Sequence, residues 1–297
     1  MGKIIDLHIH TNLSDGLLSP KEIVDEAFKN GAYVIAIADH DTVAAYDDEL
    51  YNYAKSKNIK IINAVEISTK TDKSGIHVLG YNFDINNRGL KEKLHLLKNA
   101  RHDYLHNVSH KLKQLGYKLD VNKLDEIDVV TKAHIANDII NNQDNYEILI
   151  KHFNHIPKKG EFIETIMNEG CPAYVKKETI TPKEAAQLIK KAGGKAILAH
   201  PIAYKYEDNY SDNEIIELIK EMDADGIEAV YVYVDNNDNK INEISKWSKV
   251  AKDNNLFITI GSDFHKKDGI HPEVGLIGEN LNLNDDIVSS IIDNLLK

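Results

Sequence analysis

A chain of 297 residues can bury a substantial core, as one large domain or as one domain with an insertion. With 42% hydrophobic and 28% charged residues, no low-complexity tract and no apolar run of membrane-spanning length, the composition is that of a globular protein expected in the cytoplasm, with no membrane partner. A formal charge of −11 argues against a stable nucleic-acid complex, and one cysteine, Cys171, excludes an internal disulfide.

The first expected element is a short buried strand over residues 3–7, which runs into Asp6-Leu7-His8-Ile9-His10-Thr11-Asn12-Leu13-Ser14-Asp15-Gly16. Alternate strand side chains share a face, so His8 and His10 leave the strand aimed the same way. Two adjacent imidazoles are poor core residues: neutral, each needs a buried partner, and charged, they repel. A shared cation satisfies both, and Asp15 follows in the next loop. Ser19-Pro20-Lys21-Glu22 then carries the marks of a helix start, and Asn30-Gly31 those of its end. A second strand over 33–38 stops at Asp39-His40-Asp41, a helix is expected over 45–57, and a third strand over 60–65 ends at Glu66. A fourth short strand holds Gly75-Ile76-His77-Val78-Leu79-Gly80.

From about residue 88 the pattern changes to helices with polar connections, which reads as a mostly helical insertion over 88–178 between two core segments, 1–87 and 179–297. Its first helix, over 90–115, has apolar residues at Leu90, Leu94, Leu97, Tyr104, Val108 and Leu115, and Arg101 falls on that stripe. An arginine held against protein needs an anionic partner, either a buried acid or a substrate phosphate. Residues 88–118 contain eight Lys or Arg against two acids, a local reversal of the chain's charge. His102, His106 and His110 share a helix face but have no carboxylates among them, so no further metal site is expected there. His152, His155 and His271 read as surface residues.

Strand-helix alternation resumes with a helix over 182–192, a strand over 195–198 ending at His200, a helix over 213–222, a strand over 227–234, a helix over 240–254, and a strand over 256–260 ending at Gly261-Ser262-Asp263-Phe264-His265. A closing helix is expected over 285–296. Such alternation means a parallel sheet or barrel wrapped by helices, with the chemistry at the strands' C-terminal ends. About seven strands favour a closed, irregular barrel. His8, His10, Asp15, His40, Glu66, His77, His200, Asp263 and His265 all follow or end strands. Imidazole and carboxylate without thiolate suit zinc, manganese or iron, and nine donors match two or three ions that share a bridging carboxylate.

The segments DLHIHTNLSDG, ADHDT, AVEIS, GIHVLGY, AHP and GSDFH resemble the successive motifs of the PHP (polymerase and histidinol phosphatase) family of metal-dependent phosphoesterases. The resemblance implies an α/β fold, a distorted seven-stranded (β/α)7 barrel, and a trinuclear site. In it His8, His10, Glu66 and Asp263 would hold one ion; Glu66 would bridge to a second ion held by His77 and His200; Asp15, His40 and His265 would hold the third. A hydroxide bridging two ions would then attack a phosphomonoester. Asp39 and Asp41, which flank His40, could orient an imidazole or serve the turn, and Glu228 could support a ligand or make a structural hydrogen bond.

The insertion, with Gly-Cys-Pro-Ala-Tyr-Val at its exit, resembles the subgroup acting on 3′,5′-nucleoside bisphosphates and on 5′ ends of short RNA. There the segment matching Lys132-Ala133-His134 commonly has arginine in place of Lys132, and its histidine contacts substrate. The resemblance thus implies substrate contacts for Arg101, Lys132 and His134, with His134 protonating the leaving oxygen or binding a second phosphate. The expected partner is a small phosphorylated substrate, a nucleotide or short oligonucleotide. Histidinol phosphate is the alternative substrate, and a non-catalytic metal-binding module the alternative of another class.

Overall fold

The computed structural model describes residues 4–235, 237–277 and 285–297. Its residues fall into two compact units, one formed by Met1–Lys93 with Ile180–Lys297 and the other by Leu94–Thr179. The division lies inside the long helix Arg88–Gln114.

In the first unit the described strands are β1 (Ile4–Ile9), β2 (Ala32–Ile37), β3 (Lys60–Ile61), β4 (Ala64–Lys70), β5 (Gly75–Tyr81), β6 (Lys195–Leu198), β7 (Gly226–Val230), β8 (Tyr233–Val234), β9 (Lys240–Ile241) and β10 (Phe257–Ile260). They form a parallel sheet ordered β1-β2-β3, a mixed sheet ordered β10-β7-β6-β5-β4, and the small pair β8-β9. The two larger sheets meet at both margins. Ile9 bridges Phe264, and His40 bridges Glu66, both in parallel fashion. Tyr46 reinforces the second seam: its hydroxyl accepts the N–H groups of Ile37 and Ala64 at 3.1 and 2.7 Å and donates to the Ile37 carbonyl.

β2 is buried on both faces. Val34, Ala36 and Ala38 pack with Leu79, Tyr81, Ile197 and Ile260, whereas Ile35 and Ile37 pack against Ile23, Val24 and Ala27 of the helix Pro20–Lys29. That helix begins as its sequence requires: the Ser19 hydroxyl accepts from the Glu22 amide while the Glu22 carboxylate accepts the Ser19 amide at 2.7 Å. Thr181 with Glu184 and Ser211 with Glu214 start Pro182–Lys191 and Asp212–Glu221 in the same way.

Several expectations are corrected. The larger sheet is mixed, because β5 runs antiparallel to both β4 and β6. The link 71–74 between β4 and β5 is too short for a helical crossover and can only fold the chain back as a hairpin. Glu66 consequently sits within β4, and the third expected strand splits into β3 and β4. The strand expected over 227–234 breaks after Val230, and the helix expected from 240 begins at Ile244, behind β9. A short helix, Pro201–Glu207, follows His200 directly.

In the second unit Leu94, Leu97, Tyr104 and Val108 are buried along Arg88–Gln114, and Arg101 is buried among them. Tyr104, Leu105, Val108 and Leu112 pack with Ile135, Ile139, Leu149 and Phe162 of the shorter helices Lys132–Asn141, Tyr146–Phe153 and Lys159–Phe162. His152 is exposed, as expected, but it does not stand alone, since its Nδ1 lies 2.6 Å from the Tyr117 hydroxyl. Nor do the helix-face histidines lack a carboxylate: Asp125 stands 3.2 Å from His102 and 2.8 Å from His106. These groups are nevertheless absent from the clusters of His, Cys, Asp and Glu able to hold an ion among the described residues.

Candidate metal centre

The strand geometry expected for His8 and His10 is present, with their Nε2 atoms 3.1 Å apart and both side chains fully buried. β1 brings them to the end of the strand where Asp263 follows β10. The two segments are held together by the Asp263 amide donating to the His8 carbonyl at 2.8 Å and the His10 amide donating to the Phe264 carbonyl at 2.9 Å. Oδ1 of Asp263 lies 3.2 Å from Nε2 of His10 and 3.4 Å from Nε2 of His8.

Glu66 is the centre of the cluster. Its carboxylate faces five imidazoles: His77 at 3.0 Å, His40 at 3.1 Å, His10 and His200 at 3.2 Å, and His8 at 3.5 Å. His77 reaches it because β5 is antiparallel, so the start of β5 lies beside the C-terminal ends of the parallel strands. On the other side, Oδ1 of Asp15 stands 3.2 Å from Nε2 of His265 and 3.7 Å from Nδ1 of His10, and its Oδ2 stands 3.8 Å from Nε2 of His40. The turn Asp15 occupies is tight, since a Cβ at Gly16 would come 2.4 Å from the His10 carbonyl oxygen.

All nine residues singled out in the sequence therefore converge. Donor atoms within 4.8 Å of one another form three groups: His10, Asp15, His40 and His265; His8, His10 and Glu66; and His40, Glu66 and His77. Relative to the division implied by the family resemblance, His10 and His40 each stand in two groups, with Asp263 and His200 at their edges.

Electrostatics follow from burial and mutual contact. Burial disfavours charge on all of these groups, but the surrounding imidazoles overcome it for the acids and hold Asp15, Glu66 and Asp263 below the usual carboxylate range. Burial would push His10 down, yet its hydrogen bonds to Asp263 and Glu66 carry it to about 10. Burial likewise opposes charge on His8, which Glu228, Glu66 and Asp263 nonetheless hold well above its ordinary value. For His40 burial prevails, and its pKa falls well below the ordinary imidazole value.

The donor set fits divalent cations. It is made of imidazoles and carboxylates at one buried locus, without thiolate, and two of its buried atoms, Oδ1 of Asp15 and Nδ1 of His200, lack a hydrogen-bond partner.

The supporting residues were only partly visible in the sequence. Asp39 accepts the Thr11 amide and hydroxyl, both at 2.7 Å, and Asp41 accepts the Ser68 amide at 2.9 Å. Tyr204, on the unforeseen helix after His200, accepts the His77 amide at 2.9 Å, and the Tyr231 hydroxyl lies 3.4 Å from Asp263. The signal for Tyr231 was its place just after β7, equivalent to the positions of the clustered imidazoles and carboxylates on the other strands.

A PHP domain model matches residues 6–263. The chain belongs to the PHP family. It is an enzyme of that family, a metal-dependent phosphoesterase, and the reading as a non-catalytic module is set aside. A 5′-3′ exoribonuclease of Haemophilus influenzae is 31% identical over 290 residues, 97% of this chain and 98% of the relative. A 3′,5′-nucleoside bisphosphate phosphatase of Chromobacterium violaceum is 24% identical over 265 residues, covering 88% of this chain and 87% of the relative. The fold is similar to a solved amidohydrolase structure from Chromobacterium violaceum with bound sulfate, at a TM-score of 0.78, 22% identity, and coverage of 99% of this PHP chain and 97% of the other.

Among the residues expected from the sequence to contact substrate, Arg101 is buried and its guanidinium donates to the Val130 carbonyl at 3.4 Å. The next residue, Thr131, caps the helix Lys132–Asn141, and Nδ1 of His134 accepts the Thr131 amide at 3.1 Å. Lys132 donates to the side chain of Asn168 at 2.8 Å. Within the second unit these three residues thus gather on one turn. Among the described residues no helix is long and apolar enough to cross a membrane.

Proposed function

We propose that this PHP enzyme hydrolyses a small phosphomonoester, a 3′,5′-nucleoside bisphosphate or the 5′ end of a short oligonucleotide, in the cytoplasm. The observation that carries the reading is the complete donor cluster around Glu66, which has three carboxylates and six imidazoles drawn from both ends of the chain. The nucleotide class is favoured by the names of the relatives matched over nearly their whole length.

In this reading His8, His10, Glu66 and Asp263 hold one ion, Glu66 shares a second with His77 and His200, and Asp15, His40 and His265 hold a third. Manganese, zinc and iron all suit the set. When bound, such ions supply an activated water and neutralise charge on the phosphate. The protein's part is to keep the carboxylates ionised and to hold both sets of donors rigidly at one locus. His134 holds a proton for the leaving oxygen or takes a second phosphate, with Arg101 and Lys132 supplying positive charge.

We read β1, β2, β4, β5, β6, β7 and β10 as one distorted ring of seven strands, a reading supported by the Ile9–Phe264 and His40–Glu66 bridges. Residues 88–178 we read as a helical insertion that caps the substrate. The test is a phosphate-release screen with Mn²⁺, Zn²⁺ or Fe²⁺ added, across 3′,5′-bisphosphate nucleotides, 5′-phosphorylated short RNA and histidinol phosphate. Preference for the first two is expected. Faster turnover of histidinol phosphate would replace this reading with the alternative.

A further inference from the structure

Glu228 is a fully buried acid in the middle of β7, and none of the three donor groups uses it. Its two carboxylate oxygens stand 3.0 and 3.2 Å from Nδ1 of His8, and Oε2 also accepts the main-chain N–H of His200 at 2.9 Å. An ionised carboxylate can only accept, so His8 carries its proton on Nδ1. In the neutral ring, the form that can hold a cation, Nε2 is then bare, and it is Nε2 that faces His10, Glu66 and Asp263.

The second bond serves a different need. His200 has φ +23° and ψ 62°, a sparsely populated conformation for a residue with a Cβ. Pro201 follows and has no N–H to brace the turn. The Glu228 bond fastens the His200 amide where its ring meets Glu66 and His77. Gly261 completes the junction: a Cβ there would come 2.2 Å from Cβ of His8 and 2.3 Å from Oε1 of Glu228. The chain leaving β10 therefore closes over the carboxylate and holds it against both partners.

We infer that Glu228 is a positioning residue, a single carboxylate that sets the ligating tautomer of His8 and pins the strained backbone of His200, so that donors on β1 and after β6 are aligned together. The inference rests on the metal-centre reading above. Glutamine at this position would keep the shape but would set an NH₂ against one of the two donors. If its oxygen accepts from His8, its NH₂ is turned against the His200 N–H, and if its oxygen accepts from His200, the NH₂ is turned against Nδ1–H of His8.

The experiment uses the full chain, stripped by a chelator, with zinc as the probe. Melting curves of the stripped proteins establish folding, and zinc affinity is read by competition with a chelating indicator for wild type, E228Q and E228D. E228Q is expected to fold and to bind zinc about 10–100-fold more weakly, as loss of a partner to a ligating histidine usually does, with part of the loss restored in E228D. A folded E228Q with wild-type affinity overturns the inference. Failure of wild type itself to hold zinc overturns the metal-centre reading instead. Should E228Q not fold, ¹⁵N spectra of the zinc-loaded wild type decide the matter: a proton on Nδ1 of His8 supports the assignment, and a proton on Nε2 overturns it.

Discussion

The Ser14 hydroxyl donates to Oδ1 of Asp39 at 2.6 Å and stands 3.4 Å from Nδ1 of His10. Asp39 lies at the end of β2, outside the donor groups, yet through Ser14 and Thr11 it fixes the loop that runs from His10 to Asp15. Replacing it by alanine leaves the buried Thr11 amide and both hydroxyls without their shared acceptor. The stripped D39A protein is expected to lose about 3 kcal/mol in urea unfolding, since charge-assisted hydrogen bonds and orphaned buried donors are each worth roughly 1–3 kcal/mol. D39N, which keeps one acceptor oxygen, should lose less. Equal stability of D39A and wild type would show that the loop is held in some other way.

Tyr46 offers a test of the seam between the sheets. Y46F removes one oxygen and strands the amides of Ile37 and Ala64 in a buried place. A loss of roughly 2–4 kcal/mol is expected in the same unfolding assay, because each unsatisfied donor costs about 1–3 kcal/mol. A change within experimental error would mean that water replaces the hydroxyl.

Acid should weaken the segment that follows His265. Burial would raise the Asp268 carboxyl, but the amides of His271 and Ile270 and the His271 ring outweigh it and lower its pKa to about 2. A pKa depressed in the folded state contributes stability above the unfolded value near 3.8 and loses it as pH falls through about 2. D268N should therefore be less stable than wild type by on the order of 1 kcal/mol near neutrality, after discounting for the exposed His271 ring. That gap should narrow as pH drops from 5 toward 2. Paired denaturant titrations would show it, and a gap independent of pH would assign the effect to packing alone.

His134 and Arg101 can be separated from general folding by comparing substrates. H134A and R101A are expected to lower kcat/KM for a 3′,5′-bisphosphate nucleotide at least about tenfold more than for a generic monoester, a difference of roughly 1.4 kcal/mol. R101K is the gentler control, because it keeps the charge and loses only the planar fork. Equal losses on both substrates would remove these residues from recognition of the second phosphate.

Much of this organisation could be read from residue order. Ser19-Pro20-Lys21-Glu22 states a helix start in local chemistry, and His8 and His10 share a face by strand geometry alone. Features set by distant partners were less visible. The reversal of β5 depends on a link of a few residues between Lys70 and Gly75, whose shortness was the available signal. Glu228 was legible only as an acid within the apolar run Gly226–Val230; its partners, His8 and His200, lie 220 and 28 residues away. Asp125 is close to His102 in space but 23 residues away in sequence, so helix spacing could not supply it.

The bridge between Ile9 and Phe264 has a consequence for the order in which contacts form. His8 and His10 precede Asp263 and His265 by roughly 250 residues, all of which must be made before the four can meet. Contacts of such long range are made late in folding. A chain cut before Asp263 carries the other seven donors but cannot assemble the group that includes His265, so that group forms only when both core segments are in place.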